Sequence, residues 1–101
     1  MIAEFSMVPL GVGVSVSQYV AKVIKLVDES GLPYRVHAMG TIVEGQWDEV
    51  MELIKKCRNL LMDEVERLVI DIKIDDRKGA TGRIEAKIKS VEEKLGKPVK
   101  T

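Results

Sequence analysis

The sequence is poor in the side chains that most often carry catalysis or bind metals. Its 101 residues include one cysteine, one histidine and 4% aromatic residues. Cys57 has no partner for a disulfide within the chain, and it lies on the apolar side of a predicted helix, where we expect an inert core thiol. His37 has neither a second histidine nor a cysteine pair at ligand spacing, which argues against a transition-metal site.

Net charge is absent as well. Sixteen Lys+Arg residues balance sixteen Asp+Glu residues, so no global field attracts nucleic acid or an anionic membrane. No apolar run approaches the roughly 18 residues of a membrane span. We expect a cytoplasmic protein with neither nucleic acid nor a membrane as partner, and the length favours one domain over residues 1–101.

The sequence does contain a clear alternation between the hydrophobic periods of strands and helices. Strands are predicted at residues 2–10, 34–38, 41–45 and 67–75. The first helix starts at a capping box formed by Ser15 and Gln18 and ends before Gly31. The other two helices are predicted at about residues 46–61, with Trp47 facing inward, and 83–95. The element order is therefore βαββαβα.

The second and third strands form a predicted hairpin with its turn at Met39 and Gly40. This register places Ala38 opposite Thr41 and Arg35 opposite Glu44, so that Thr41 and Glu44 lie on opposite faces of the sheet. Hairpin strands are antiparallel and βαβ crossovers are right-handed. The sequence therefore predicts a ferredoxin-like α/β (α+β) sandwich, with an antiparallel sheet, helices on one face and an extra C-terminal helix.

The uncovered sheet face is predicted to mix charged and apolar side chains: Glu4, Ser6, Val8, Arg35, His37, Ile42, Glu44, Val69, Asp71 and Lys73. Such alternation is typical of a solvated face. It also suits a second sheet docking face to face, because Val8, Ile42 and Val69 sit among charges that can pair. Both interpretations stay open, and the second one predicts a homotetramer built as a dimer of dimers.

A glycine-rich segment at residues 11–16 follows the first strand, where a phosphate-binding loop would lie. Valine stands where the dinucleotide-binding fingerprint needs its third glycine, and the P-loop lysine is missing. The segment is either an ordinary turn or a place where Ser15 and Ser17 contact a polar group of a small ligand. His37 and Glu44 are the only attractive bases for an enzyme that acts on a small metabolite.

Several motifs along the chain resemble those of one family. They are Ser17-x-Tyr19-Val20, Met39-Gly40-Thr41-x-x-Glu44-Gly45, Asp75-x-Arg77 and Ser90-Val91. Together they resemble the small thiamine-binding protein family, whose members are single-domain relatives of the YkoF protein. The resemblance implies a ferredoxin-like fold, dimers and tetramers assembled through the sheets, and binding of thiamine or its hydroxymethylpyrimidine portion without an established reaction.

Thiamine is a cation with an aminopyrimidine ring, so its site needs a carboxylate, polar partners and an aromatic or sulfur-bearing wall. The residues that offer these groups are Ser15, Ser17, Tyr34, Met39, Gly40, Thr41, Glu44 and Trp47. We expect them around a pocket formed by the hairpin, the loop before the first helix and the start of the second helix. If the Glu44 carboxylate pairs with the positive charge of the ligand or accepts from its aminopyrimidine donors, Glu44→Gln should cost about 1.5–3 kcal/mol of binding free energy.

No catalytic residue, metal or cofactor is expected beyond thiamine as the ligand. Two other classes of function stay open at this point. One is a structural or regulatory subunit of a homo-oligomer, which would need only the sheet faces. The other is an enzyme acting on a small metabolite.

Overall fold

The computed structural model describes residues 1–101 and contains three helices and four strands. Their order along the chain is β1 (Ile2–Leu10), α1 (Ser17–Glu29), β2 (Tyr34–His37), β3 (Gly40–Glu44), α2 (Trp47–Met62), β4 (Arg67–Asp75) and α3 (Arg83–Leu95). The strands form one antiparallel sheet in the order β2-β3-β1-β4. This confirms the ferredoxin-like α+β fold. No helix is long and apolar enough to cross a membrane.

The core lies between one face of the sheet and the helices α1 and α2. Alternate residues of β1 enter it, because side chains on a strand point to opposite faces in turn. Ala3, Phe5 and Met7 are buried there. The helices contribute Val23, Val27, Val50, Leu53, Ile54, Cys57 and Leu61. The two long helices therefore cover one face, as the sequence predicts.

The third helix departs from the prediction that the helices share one face. Side chains opposite the core face hold it: Glu44 bonds the backbone of its first turn, and Asp75 pairs with Lys87. The Lys87 ammonium holds the pKa of Asp75 below its usual range. Helix α3 therefore lies against the second face of the sheet, over the end where β1 pairs with Glu44.

The hairpin register differs from the predicted one by two residues. The turn consists of Ala38 and Met39, so His37 lies opposite Gly40 and Arg35 opposite Ile42. No non-glycine residue has a positive φ, which rules out the primed turn types at these two positions. Because the side-chain period is two, this shift leaves every side chain on its predicted face.

Two local predictions were wrong. The capping box at Ser15 and Gln18 does not form, since α1 begins at Ser17 with Val16 as its N-cap and without a side-chain cap. A hydrogen bond typical of a capping box forms at the start of α2, where the backbone N–H of the N-cap Gln46 donates to Glu49 Oε1 over 2.9 Å. Trp47 is 52% exposed rather than inward-facing, because the buried stripe of α2 begins only at Val50.

Cys57 should react slowly with alkylating reagents while the chain is folded. Its side chain is fully buried, and burial raises the pKa of the thiol to about 11. Against an unperturbed pKa of roughly 8.5, the thiolate fraction at pH 8 falls about 200-fold. Iodoacetamide labelling followed by mass spectrometry should show this slowing in buffer and its loss in denaturant. Equal rates in both would contradict the buried position.

Candidate ligand-binding site

The structure divides the eight predicted ligand-binding residues among different places. Met39, Gly40 and Thr41 line a cavity beside the hairpin. Val16 lines it too, but the neighbouring Ser15 and Ser17 do not, and their exposed hydroxyl oxygens lie 3.5 Å from each other. Glu44 lines a separate cavity at the other end of β3. Tyr34 and Trp47 line neither of these cavities. The hairpin therefore lies beside the start of α1, but neither predicted serine lines its cavity, and the start of α2 lines the cavity beside Glu44 instead.

The hairpin cavity has a volume of about 370 Å³. It exists because the hairpin is shorter than its neighbour: β3 pairs with β1 only at residues 2–5, while β4 pairs with β1 along residues 2–10. The flank of β1 beyond Phe5 is therefore open. Val16 at the N-cap of α1 and Val20 within the helix close the cavity from the helical side.

Polar side chains reach this cavity from both faces of the sheet because it opens along the flank of a strand. Thr41 comes from the helix-covered face, and Ser6 and Asp71, which lie opposite each other in the β1–β4 ladder, come from the second face. His37 lies at the turn beside Met39, whose side chain is exposed at the tip. No lysine or arginine lines the cavity.

Asp71 is the only carboxylate among the lining residues, and the sequence did not mark it as a binding residue. Its position in the strand pattern indicated only a charge on the uncovered face. Its approach to the hairpin depends on the length difference between β3 and β1. The sequence does not show where the pairing of β3 with β1 stops, so it could not predict this open flank.

Glu44 is 8% exposed, and its carboxylate is already engaged. Oε2 accepts a hydrogen bond from the backbone N–H of Arg83 over 2.9 Å, and Oε1 accepts one from the N–H of Ile84 over 3.3 Å. These N–H groups belong to the first turn of α3, where a negative charge also meets the positive end of the helix dipole. Glu44 therefore fastens α3 to the sheet.

The cavity beside Glu44 has a volume of about 460 Å³ and two further carboxylates among its lining residues. Glu49 accepts the N–H of Gln46, and Glu85 forms an ion pair with Arg35. All three acids of this cavity therefore have partners within the chain. An added cation would have to compete with those partners.

Tyr34 and Trp47 have surroundings of their own. The Tyr34 hydroxyl donates to Asp28 Oδ1 over 2.7 Å, and this bond raises the pKa of Tyr34. The contact ties β2 to the last turn of α1. Trp47 lies in the first turn of α2 with about half of its surface exposed.

A third cavity, of about 710 Å³, lies on the outer side of β2 against α3. Its apolar lining includes Val36, Ile88 and Val91, and its charged lining residues are Lys87 and Lys100. Lys87 already pairs with Asp75, Lys100 adds a positive charge, and no Asp or Glu lines the cavity, which disfavours a cationic ligand there. This cavity is larger than the hairpin cavity but suits thiamine less well.

Comparison with known proteins assigns the chain to a family. The sequence profile described as Thiamine-binding protein matches residues 3–92. The UPF0045 protein MJ1052 of Methanocaldococcus jannaschii is 40% identical over 93 residues, which are 92% of this chain and 93% of that protein. The UPF0045 protein sll0230 of Synechocystis is also 40% identical over 93 residues, covering 91% and 77% of the two chains.

Solved structures share the fold of this chain. The crystal structure of MJ1052 matches with a TM-score of 0.84, covering 91% of this chain and 95% of that one. The fold is shared by TM0486 of Thermotoga maritima, described as a candidate thiamine biosynthesis or salvage protein, with a TM-score of 0.79, 24% identity and coverage of 89% and 96%. The profile match spans most of the chain, and the relatives align along nearly its whole length. The chain belongs to the thiamine-binding protein family.

Proposed function

We propose that this protein binds thiamine, or a ligand that carries its aminopyrimidine ring, in the hairpin cavity. The observation that carries the proposal is that Met39, Gly40 and Thr41 line a cavity with apolar walls and a single carboxylate. Its volume of about 370 Å³ lies within the range of small-molecule sites, roughly 300–1,000 Å³. The family assignment supports the ligand class, and the lining of the cavity supports the place.

Electrostatics favour this cavity among the three. Asp71 supplies a negative charge that no ion pair within the chain engages, whereas the carboxylates beside Glu44 have partners and the cavity on β2 carries two lysines. The exposed thioether of Met39 offers a polarisable contact to a planar ring. The hydroxyls of Ser6 and Thr41 remain available for its polar atoms.

We propose binding without turnover. Cys57 is buried with a raised pKa, which is the opposite of what a nucleophilic thiol needs. His37 is exposed, and no carboxylate or carbonyl of the chain orients its ring as a general base requires. The cytoplasmic location expected from the sequence stays a prediction.

Isothermal calorimetry on the purified protein tests the function. Thiamine, thiamine phosphates and hydroxymethylpyrimidine are titrated separately, and the same mixtures are then examined for products by chromatography. Saturable heat with at least one of them and unchanged ligand afterwards are the expected results. If none of the three binds, the interpretation as a structural subunit replaces this proposal, and a new product would show an enzyme.

We also propose that the protein is a homotetramer formed as a dimer of dimers. Two surfaces support this. Val8, Leu10 and Val69 form an exposed apolar patch on the half of the second sheet face that α3 leaves uncovered. Strand β4 is an edge strand of nine residues, and such an edge can pair with another copy. Two different two-fold contacts are what a dimer of dimers requires.

Val69→Lys should weaken this assembly. Val69 is 41% exposed and lies opposite Val8, so that a lysine there would bury an unpaired charge in the proposed contact. We expect the dissociation constant to rise at least about tenfold. Val14→Lys, the same change at a fully exposed loop valine, is the matched control. Light scattering that gives one monomeric mass for the unmodified protein at micromolar concentration would refute the assembly.

A further inference from the structure

The backbone of β1 has an unpaired stretch that faces the hairpin cavity. Residues 2–10 pair with β4 on one side, but only residues 2–5 pair with β3 on the other. The second side of residues 6–10 therefore has no strand beside it. Met7 and its neighbours Ser6 and Val8 all line the cavity that occupies this space.

The sheet register shows which backbone groups point into the cavity. In an antiparallel ladder the N–H and C=O groups of one residue point to the same side, and successive residues alternate. Gly45 N–H donates to Met1 C=O over 3.0 Å, so the odd-numbered residues of β1 direct these groups toward β3. Met7 thus presents both an N–H and a C=O on the open side. Pro9 presents only a C=O, because proline has no N–H.

The N–H and C=O of Met7 have no hydrogen-bond partner within the chain. The Met7 side chain is buried, and backbone groups in such places nearly always have a hydrogen-bond partner. No backbone bond outside the regular ladders involves Met7, and its place in the β1–β4 ladder is a non-hydrogen-bonded one. The strand edge therefore holds a donor and an acceptor side by side, which a ligand can satisfy.

We propose that the Met7 N–H and C=O recognise the aminopyrimidine ring of the ligand. The N–H donates to the ring nitrogen next to the amino-bearing carbon, and the C=O accepts a hydrogen bond from the exocyclic amino group. An amino group and its neighbouring ring nitrogen form a donor–acceptor pair that can replace the missing β3 residue in the ladder. This inference rests on the proposed function and names the backbone groups that recognise the ring.

Recognition through Met7 predicts which thiamine analogues the protein binds. Oxythiamine carries an oxo group in place of the amino group, and the adjacent ring nitrogen then carries a proton. In oxythiamine the ring N–H would face the Met7 N–H, and the oxo group would face the Met7 C=O, so neither hydrogen bond could form. A site that bonds a ligand through fixed donors and acceptors rejects an analogue that reverses them. Pyrithiamine keeps the aminopyrimidine ring and replaces only the thiazolium ring.

Calorimetry on the unmodified protein compares the three ligands. We expect pyrithiamine to bind within about tenfold of thiamine and oxythiamine to bind at least about 100-fold more weakly than thiamine. Equal affinities for thiamine and oxythiamine would overturn the role of Met7 and leave the proposed function in place. No heat with thiamine itself would overturn the proposed function together with this inference.

NMR spectroscopy observes the Met7 amide directly. The chain has five methionines, so labelling with ¹⁵N-methionine gives a spectrum of a few amide signals, and Met7→Leu assigns the one of interest. Saturating thiamine should shift the Met7 signal and slow its hydrogen exchange. Met51 and Met62 in α2, which lie outside the cavity lining, are internal controls and should not move. Thiamine binding that leaves the Met7 signal and its exchange unchanged would overturn the inference.

Discussion

Replacing Glu44 by alanine should lower the free energy of unfolding by about 2–4 kcal/mol. The change removes a carboxylate that accepts the backbone N–H groups of Arg83 and Ile84. The Ile84 donor is buried, and leaving such a donor without a partner costs about 1–3 kcal/mol. Loss of the charge at the N-terminus of α3 adds to this cost. Urea denaturation followed by circular dichroism measures the difference.

Glu85→Ala is the matched control, because Glu85 is an acid in the first turn of α3, the helix that Glu44 holds, and its partner Arg35 is exposed. An exposed ion pair contributes under about 1 kcal/mol, so this variant should unfold close to the unmodified protein. Equal losses in both variants would contradict the anchoring role of Glu44. In Glu44→Gln, thiamine affinity should stay within about twofold, whereas a loss of tenfold or more would place the ligand beside Glu44 as the sequence suggested.

Val20→Trp should reduce thiamine affinity by at least about 100-fold. Val20 lines the hairpin cavity from α1 and is 39% exposed, so an indole there would fill much of the roughly 370 Å³ available to the ligand. Substitutions at such exposed positions usually change stability by no more than about 0.5 kcal/mol. Calorimetry with thiamine measures the affinity, and thermal unfolding checks that the fold persists.

Ala21→Trp provides the matched control for this variant. Ala21 is the next residue of α1, is exposed and does not line the cavity. An indole at this position should leave thiamine affinity within about twofold of the unmodified protein. The same affinity in both tryptophan variants would show that the ligand binds outside the hairpin cavity.

Hydrophobic periodicity was sufficient to predict the sheet and helices of this protein. The bounds of β1, β4 and α3 agree with the pattern, since each carries a strong period of two or 3.6 over nine or more residues. Hydrophobic periodicity did not determine the register of the hairpin. Its turn at Ala38 and Met39 depends on backbone angles, and the hydrophobic pattern of β2 and β3 fixes only which face each side chain takes.

The candidate site was predictable only in part, because strand parity fixes the face of a side chain but not the path of a loop. The strand parity correctly placed Thr41 and Glu44 on opposite faces. The contact of Glu44 with α3 depends on the path of the loop after β4, where Gly79 and Gly82 adopt positive φ values of 71° and 63°. Since glycine permits such angles in many combinations, the sequence does not fix where that loop delivers the helix.

A crystal structure of the protein grown with saturating thiamine tests the central claim most directly. We expect the ligand in the hairpin cavity, with its aminopyrimidine ring against Met7 and its cationic end toward Asp71. The cavity beside Glu44 should hold no thiamine, and the bonds from Arg83 and Ile84 to Glu44 should remain. Thiamine bound beside Glu44, or an empty hairpin cavity at saturating ligand, would contradict the claim.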